Sequence, residues 1–260
     1  MMRGIFAIVV LDLKRFWLDR ARLIAGLIQP LLYLFVLGAG IGASSKMGGG
    51  DYRRFIYPGT MGLSLLFSAT FAAITIVFDR QIGFFKAVLV APVPRPAIAL
   101  GKIAAGALQS LAQGLLLLPF APLAGASLNV TQTFEMIGAM ALAATTFSTI
   151  GVAFACRFNS TTVFPIVSNA VLLPMFFLSG GLYPLAMAPE WMRVAAHFNP
   201  VAYAVDLMRG SVLGAFFFPV PLSLGALALT IVLLVWAAVR VFNRGEDDSS
   251  LGATKFNFRR

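Results

Sequence analysis

The sequence predicts an all-α polytopic membrane protein: six transmembrane helices, an N-terminal interfacial amphipathic helix, and a re-entrant helical hairpin between helices five and six. Three observations carry this reading. Of the 260 residues, 59% are hydrophobic and only 12% are charged, against roughly 25% charged in a soluble domain. A chain so poor in charge cannot cover its surface with polar groups in water, so lipid is the solvent for much of it. Apolar runs of about 20 residues, the length that crosses the hydrocarbon, recur along the chain and leave room for no sizeable soluble domain. Basic residues sit beside those runs, so the formal charge of +10 reads as membrane orientation and not as nucleic-acid binding.

Residues 1–22 form the interfacial helix. Asp12, Arg15, Asp19 and Arg22 recur at spacings of three and four on one helical stripe, where mutual ion pairs form. Phe6, Val9, Val10, Leu13, Phe16 and Trp17 gather on the other side. That is the pattern of a helix lying in the membrane interface. The same charges leave no clean apolar core for a cleavable signal peptide.

Residues 23–242 form the six-helix domain. The spans are expected at 23–43 (with Gln29 and Pro30), 58–78, 103–125 (with Gln109, Gln113, Pro119 and Pro122), 134–156, 161–183 (with Pro165 and Pro174) and 222–242. Prolines inside spans are tolerated because neighbouring helices re-satisfy the freed backbone groups. Residues 184–220 are too long for a tight connection and too apolar for a solvated loop. Short apolar helices broken by proline point to the re-entrant hairpin. Glu190, Arg193, Asp206 and Arg209 argue against a further span, because charge at mid-bilayer is costly. Residues 243–260 are a polar, mixed-charge cytoplasmic tail, solvated or with its basic end on anionic lipid.

Orientation follows from the basic residues. With the N-terminus inside, 15 of the 20 Lys and Arg residues fall on cytoplasmic segments. The other five, Lys46, Arg53, Arg54, Arg193 and Arg209, fall outside. Both termini are therefore expected in the cytoplasm of a bacterial-type inner membrane.

No catalytic or metal-ligating constellation is expected. The single cysteine, Cys156, reads as a small packing residue, and the single histidine, His197, as an interfacial or satisfied polar group. Glu135 reads as an acid near a helix N-terminus, favoured there by the helix dipole. The Gly101-Lys102 pair invites comparison with a phosphate-binding loop. That motif needs a glycine five positions before the paired one and Ser or Thr after the lysine. Pro96 and Ile103 occupy those places. No nucleotide site is expected on this chain.

Three segments in register resemble the ABC-2 type permeases, the membrane subunits of type-2 ABC exporters. The first runs from Asp79 through Phe84-Phe85-Lys86 to Pro92-Val93-Pro94-Arg95 and is followed by Gly101-Lys102. The second is Phe177-Leu178-Ser179-Gly180-Gly181-Leu182-Tyr183-Pro184. The third is Asn199-Pro200-Val201-Ala202-Tyr203, followed by Asp206-Leu207-Met208-Arg209-Gly210. The resemblance covers essentially the whole chain.

It implies an exporter permease, not itself an enzyme, that pairs with a second copy as a homodimer. It also implies two copies of a cytoplasmic ABC ATPase, on which ATP and Mg would bind. Membrane lipid is the other implied partner, and nucleic acid is not one. The coupling loop, residues 79–102, would rest on the ATPase through Phe84, Phe85, Lys86, Pro92, Pro94 and Arg95. The second and fifth spans would line the translocation path through Phe67, Phe71, Phe78, Ser168, Asn169, Leu172, Phe176 and Ser179. An outer gate would comprise Gly180, Gly181, Pro184, Trp191, Asn199 and Pro200. Substrates in such a family include drugs and lipid-linked saccharides.

The residues themselves leave alternatives open. The coupling loop is also readable as a simple positive-inside loop. Phe67, Phe71, Ile74 and Phe78 recur at helical spacing and fit a packing seam as well as an aromatic route. Asn169 fits a helix–helix hydrogen bond, worth about 0.6 kcal/mol in a membrane. An ion-coupled secondary transporter usually carries repeats and intramembrane ionisable groups, which are not evident here. A non-transporting subunit of a membrane complex is the third reading.

Overall fold

The computed structural model describes residues 2–40, 49–81, 94–158 and 160–244. Among them every regular element is helical. Helix α1 (Met2–Leu18) turns at Asp19 into α2 (Arg20–Leu32), which runs on through a π-turn at Tyr33–Leu37. Then follow α3 (Gly49–Gln81), α4 (Arg95–Leu117), α5 (Val130–Ala155) and α6 (Val163–Phe177). Two short helices, α7 (Glu190–His197) and α8 (Pro200–Leu213), precede the last, α9 (Val220–Arg244).

Among the described residues, five stretches are long and apolar enough to cross a membrane: Arg20–Gly40, Tyr52–Gln81, Pro96–Ala124, Val130–Ala155 and Val220–Val241. The apolar run expected at 161–183 forms a helix of only 15 residues, Val163–Phe177. At 1.5 Å per residue that is about 22 Å, short of a ~30 Å hydrocarbon core. The cause lies in its C-terminal half. Pro174 cannot donate to the helical ladder, and Gly180 adopts a left-handed φ of +73° that a helix cannot continue through.

Two other boundaries move for local reasons. Helix α3 begins nine residues before Pro58, which sits inside it. Buried Tyr52, Phe55, Ile56 and Tyr57 anchor that extra length. Helix α4 begins at Arg95 and not at 103. Pro94 caps it and Pro96 sits in its first turn, where a fixed φ and a missing N–H cost nothing. Helix α5 opens on a capping box, with the Asn129 N–H donating to Gln132 Oε1 at 3.0 Å. Glu135 therefore lies beyond the first turn and is solvent- or lipid-exposed, not an N-terminal acid.

The core is a tight cluster of α3, α4 and α5, with α8 wedged against α3 and α5. From Val201 to Val212 every residue of α8 is buried. Helices α2 and α9 lie at the periphery. Ile24, Ile28 and Leu32 on α2, and Leu229, Val232, Leu233 and Trp236 on α9, present exposed apolar faces. Such surface suits lipid or another membrane chain, not water.

Candidate functional site

Of the charged stripe, Asp12 turns inward, while Arg15 and Asp19 stay exposed. Asp12 is buried, whereas Phe6, Leu11, Trp17 and Leu18 are exposed. Phe16, expected on the outer apolar side, is buried as well. Asp12 turns in because it has partners on α3 and α4. Lys102 Nζ lies 3.0 Å from Asp12 and 2.9 Å from Asp79, and also donates to Thr75 Oγ1 at 3.3 Å. Arg15 joins from the rim, 3.4 Å from Asp79 and 3.7 Å from Asp12. Gln109 adds a hydrogen bond to the Asp12 carbonyl at 3.0 Å. Two carboxylates and two cations thus balance, and the knot pins α1 to the end of α3 that leads into residues 82–93.

Beside this knot a cleft of about 540 Å³ opens between α2 and α3. Its wall on α3 has two parallel rows. Phe67, Phe71, Ile74 and Phe78 form an aromatic row, and Ser64, Ser68 and Thr75 a polar one. Phe71 and Phe78 are exposed at 42% and 48%, while Phe67 packs partly against the core and stacks on Phe71. Ser64 and Ser68 are buried and form the floor. Helix α2 contributes Arg22, Gly26, Gln29 and Pro30, and α4 contributes Gln113. Arg22 donates to the Ser68 carbonyl at 3.3 Å, and its guanidinium lies over the Phe16 ring, 5.6 Å from its centroid. Sequence reasoning put Arg22 on the N-terminal charged stripe and Gln113 inside the third span, and gave neither of them, nor Ser68, a place on this cleft. A glutamine inside an otherwise apolar span was the available signal.

A second constellation gathers after α6. The Gly180 carbonyl accepts from Arg209 Nη2 at 2.6 Å, and the Arg209 guanidinium stacks 4.2 Å from the Phe55 ring centroid. Ser179 Oγ donates to the Phe176 carbonyl at 2.6 Å and accepts the Gly181 N–H at 3.2 Å. Tyr52 donates to the Leu182 carbonyl at 3.1 Å. Asn199 caps α8 by accepting the Val201 N–H at 3.0 Å and donates to the Met175 carbonyl at 2.5 Å. Asp206 receives the Phe217 and Phe218 N–H groups at 3.0 and 2.9 Å. Irregular backbone is thereby satisfied by protein, as it must be wherever lipid replaces water.

Gly180, Gly181 and Asn199 are thus each tied by hydrogen bonds at the C-terminal end of α6, Pro184 precedes the short turn at Leu185–Met187, and Pro200 opens α8. Trp191 stands apart, 63% exposed on α7. Phe67, Phe71 and Phe78 line the cleft. Ser168, Leu172, Phe176 and Ser179 do not. They are buried within the chain, so the stripes on α3 and α6 do not meet on one surface. Asn169 is half-buried. Phe84, Phe85, Lys86 and Pro92 lie outside the described residues, while Pro94 and Arg95 open α4. Cys156 is buried at the end of α5, and His197 hydrogen-bonds the Arg193 carbonyl at 2.8 Å, as expected of packing and satisfied polar groups.

The family model of the ABC-2 type transporter matches residues 3–213, spanning the knot, the cleft and the hydrogen-bonded corner. The chain belongs to this family. Nodulation protein J of Rhizobium leguminosarum bv. trifolii is 30% identical over 230 residues, 86% of each chain. The inner membrane transport permease YadH of Escherichia coli K12 is 27% identical over 92% of this chain and 94% of its own. The putative transport permease ycf38 of Porphyra purpurea is 28% identical over 74% and 68%. An ABC-2 type transporter is a multi-pass membrane transport protein. Its family generally works with an ATP-binding subunit.

Proposed function

We propose that the chain is the permease subunit of an ATP-driven exporter, a homodimer served by two copies of a separate cytoplasmic ATPase. The cleft between α2 and α3 carries this reading. A polar floor under an exposed aromatic rim suits a hydrophobic or amphiphilic cargo entering sideways from the bilayer. A ~540 Å³ volume is within the ordinary range for a small-molecule site. The energy source lies on another chain. Gly101 and Lys102 sit in the body of α4, and the lysine is held by two carboxylates. A phosphate-binding lysine must instead be free above a glycine-rich loop. ATP and Mg would bind on the partner.

In this reading α6 and the turn after it complete a sixth crossing. Helices α7 and α8 form a re-entrant hairpin that closes the outer mouth around Gly180, Gly181 and Asn199. Residues 79–102 rest on the ATPase, and both termini lie in the cytoplasm. An ion-coupled mechanism finds less support. Asp12 and Asp79, the buried carboxylates nearest the cleft, are neutralised by Lys102 and Arg15.

Transport of a fluorescent amphiphile into inverted vesicles tests the cleft. Phe71→Ala and Phe78→Ala are expected to slow ATP-dependent uptake while leaving protein yield unchanged. Phe176→Ala, which empties a core position, is expected to lower yield instead. Normal uptake by both cleft variants would refute this path.

A further inference from the structure

The cleft holds more hydrogen-bond donors than the protein uses. Gln113 is only 2% exposed, yet its Nε2 has no hydrogen-bond partner among the described residues. Ser68 Oγ, also buried, has none among them either. Both residues line the cleft. Arg22 stands beside them, and the one hydrogen bond its guanidinium makes among the described residues goes to the Ser68 carbonyl. Among the described residues, Asp19 is the only carboxylate on the lining. It caps α2 by accepting the Arg22 backbone N–H at 3.1 Å. An unsatisfied buried donor costs about 1–3 kcal/mol, more when charged groups are involved. Within a bilayer no bulk water lowers that cost.

Three donor-bearing residues on one lining, one of them cationic, call for an oxygen-rich anionic acceptor. The row Phe67, Phe71, Ile74 and Phe78 alongside calls for a hydrocarbon chain. We propose that the cleft binds an anionic amphiphile. Its phosphate head group accepts from Gln113 Nε2, Ser68 Oγ and Arg22, and its acyl chain lies on the aromatic row. This deepens the cargo reading of the same cleft and rests on it. Gln113 then fixes the head group through shape and hydrogen bonding, and Arg22 supplies the preference for charge. Gly26 makes the arrangement possible. A Cβ there would stand 3.0 Å from the Gln113 Cδ and Nε2, so a larger residue displaces the amide.

Native mass spectrometry of the purified full-length chain in neutral detergent tests this. The probes are lysophosphatidic acid and the monoacylglycerol of the same chain length, which lacks only the phosphate. The wild type is expected to bind the phosphate-bearing probe about tenfold more tightly, the worth of one charged hydrogen bond. Gln113→Met, an unbranched replacement without donors, is expected to weaken that binding by about the same factor. Arg22→Gln is expected to bring the two probes level. If Gln113→Met is recovered only as aggregate, Ser68→Ala, which removes one oxygen, replaces it in the same comparison. Equal affinity of the wild type for both probes overturns the proposal, and so does an unchanged preference in Arg22→Gln. Neither result depends on an ATPase. Failure here with an ATPase still bound refutes the head-group assignment alone, whereas loss of the ATPase partner refutes the exporter reading alone.

Discussion

Lys102 Nζ and Asp79 Oδ2 stand 2.9 Å apart inside the protein, each side chain less than a tenth exposed, although 23 residues separate them along the chain. With Asp12 and Arg15 they tie α1 to the lower end of α3. Removing one member of a buried ion pair strands its partners, at a cost on the order of 3–5 kcal/mol. Lys102→Met is therefore expected to lower the thermal stability of the purified protein sharply. The double variant Lys102→Met with Asp79→Asn leaves Asp12 facing Arg15 and should recover part of that loss. Arg15→Gln, whose side chain is 44% exposed, should cost much less. Thermal aggregation of the three variants checks the ranking. Equal losses would show that the knot is not energetically coupled.

Helix α3 touches the corner after α6 at Gly59. A Cβ there would collide with the Gly181 carbonyl, a backbone atom that cannot rotate away. Gly59→Ala is expected to lower thermal stability and expression. Gly138→Ala, with open space around it, should be neutral or stabilise by up to about 1 kcal/mol through helix propensity. The same melting assay on both variants checks the contrast.

Local pattern explains how much of this was legible. The row of Phe67, Phe71 and Phe78 repeats at helical spacing, so its common face was readable. So was the single face shared by Ser168, Leu172 and Phe176. Which way each face turns was not, because that depends on packing against distant helices. The α1 stripe shows the difficulty best. Asp12 and Arg15 read as paired along their own helix, because their partners Asp79 and Lys102 are tens of residues away. Charge patterning within one helix carries no signal for such pairs. The corner around Gly180 was half-legible: its glycines and Asn199 were singled out. The role of Arg209, which satisfies the Gly180 carbonyl, needed the fold.

Topology gives an independent check. Both termini in the cytoplasm place Ser249 inside and Ser45 outside. With Cys156 replaced, Ser45→Cys is expected to react with a membrane-impermeant maleimide on intact cells. Ser249→Cys should react only after permeabilisation. The reverse pattern inverts the assignment.

The loop before α4 is proposed to contact the ATPase, and buried aromatic anchors usually outweigh rim charges in such contacts. Phe85→Ala is therefore expected to weaken the complex or uncouple ATP hydrolysis from export while membrane insertion stays normal. Lys86→Ala should do much less. A loop that only fixes orientation predicts the opposite order, since orientation reads charge.

The central claim is that this permease draws its energy from another polypeptide. The most direct measurement is affinity purification of the tagged full-length chain from its native membrane, followed by ATP-driven transport in reconstituted vesicles. A separate ATPase subunit carrying a phosphate-binding loop is expected to co-purify, and uptake should stop without ATP. Transport by the chain alone, driven by a proton or sodium gradient and indifferent to ATP, would contradict the account.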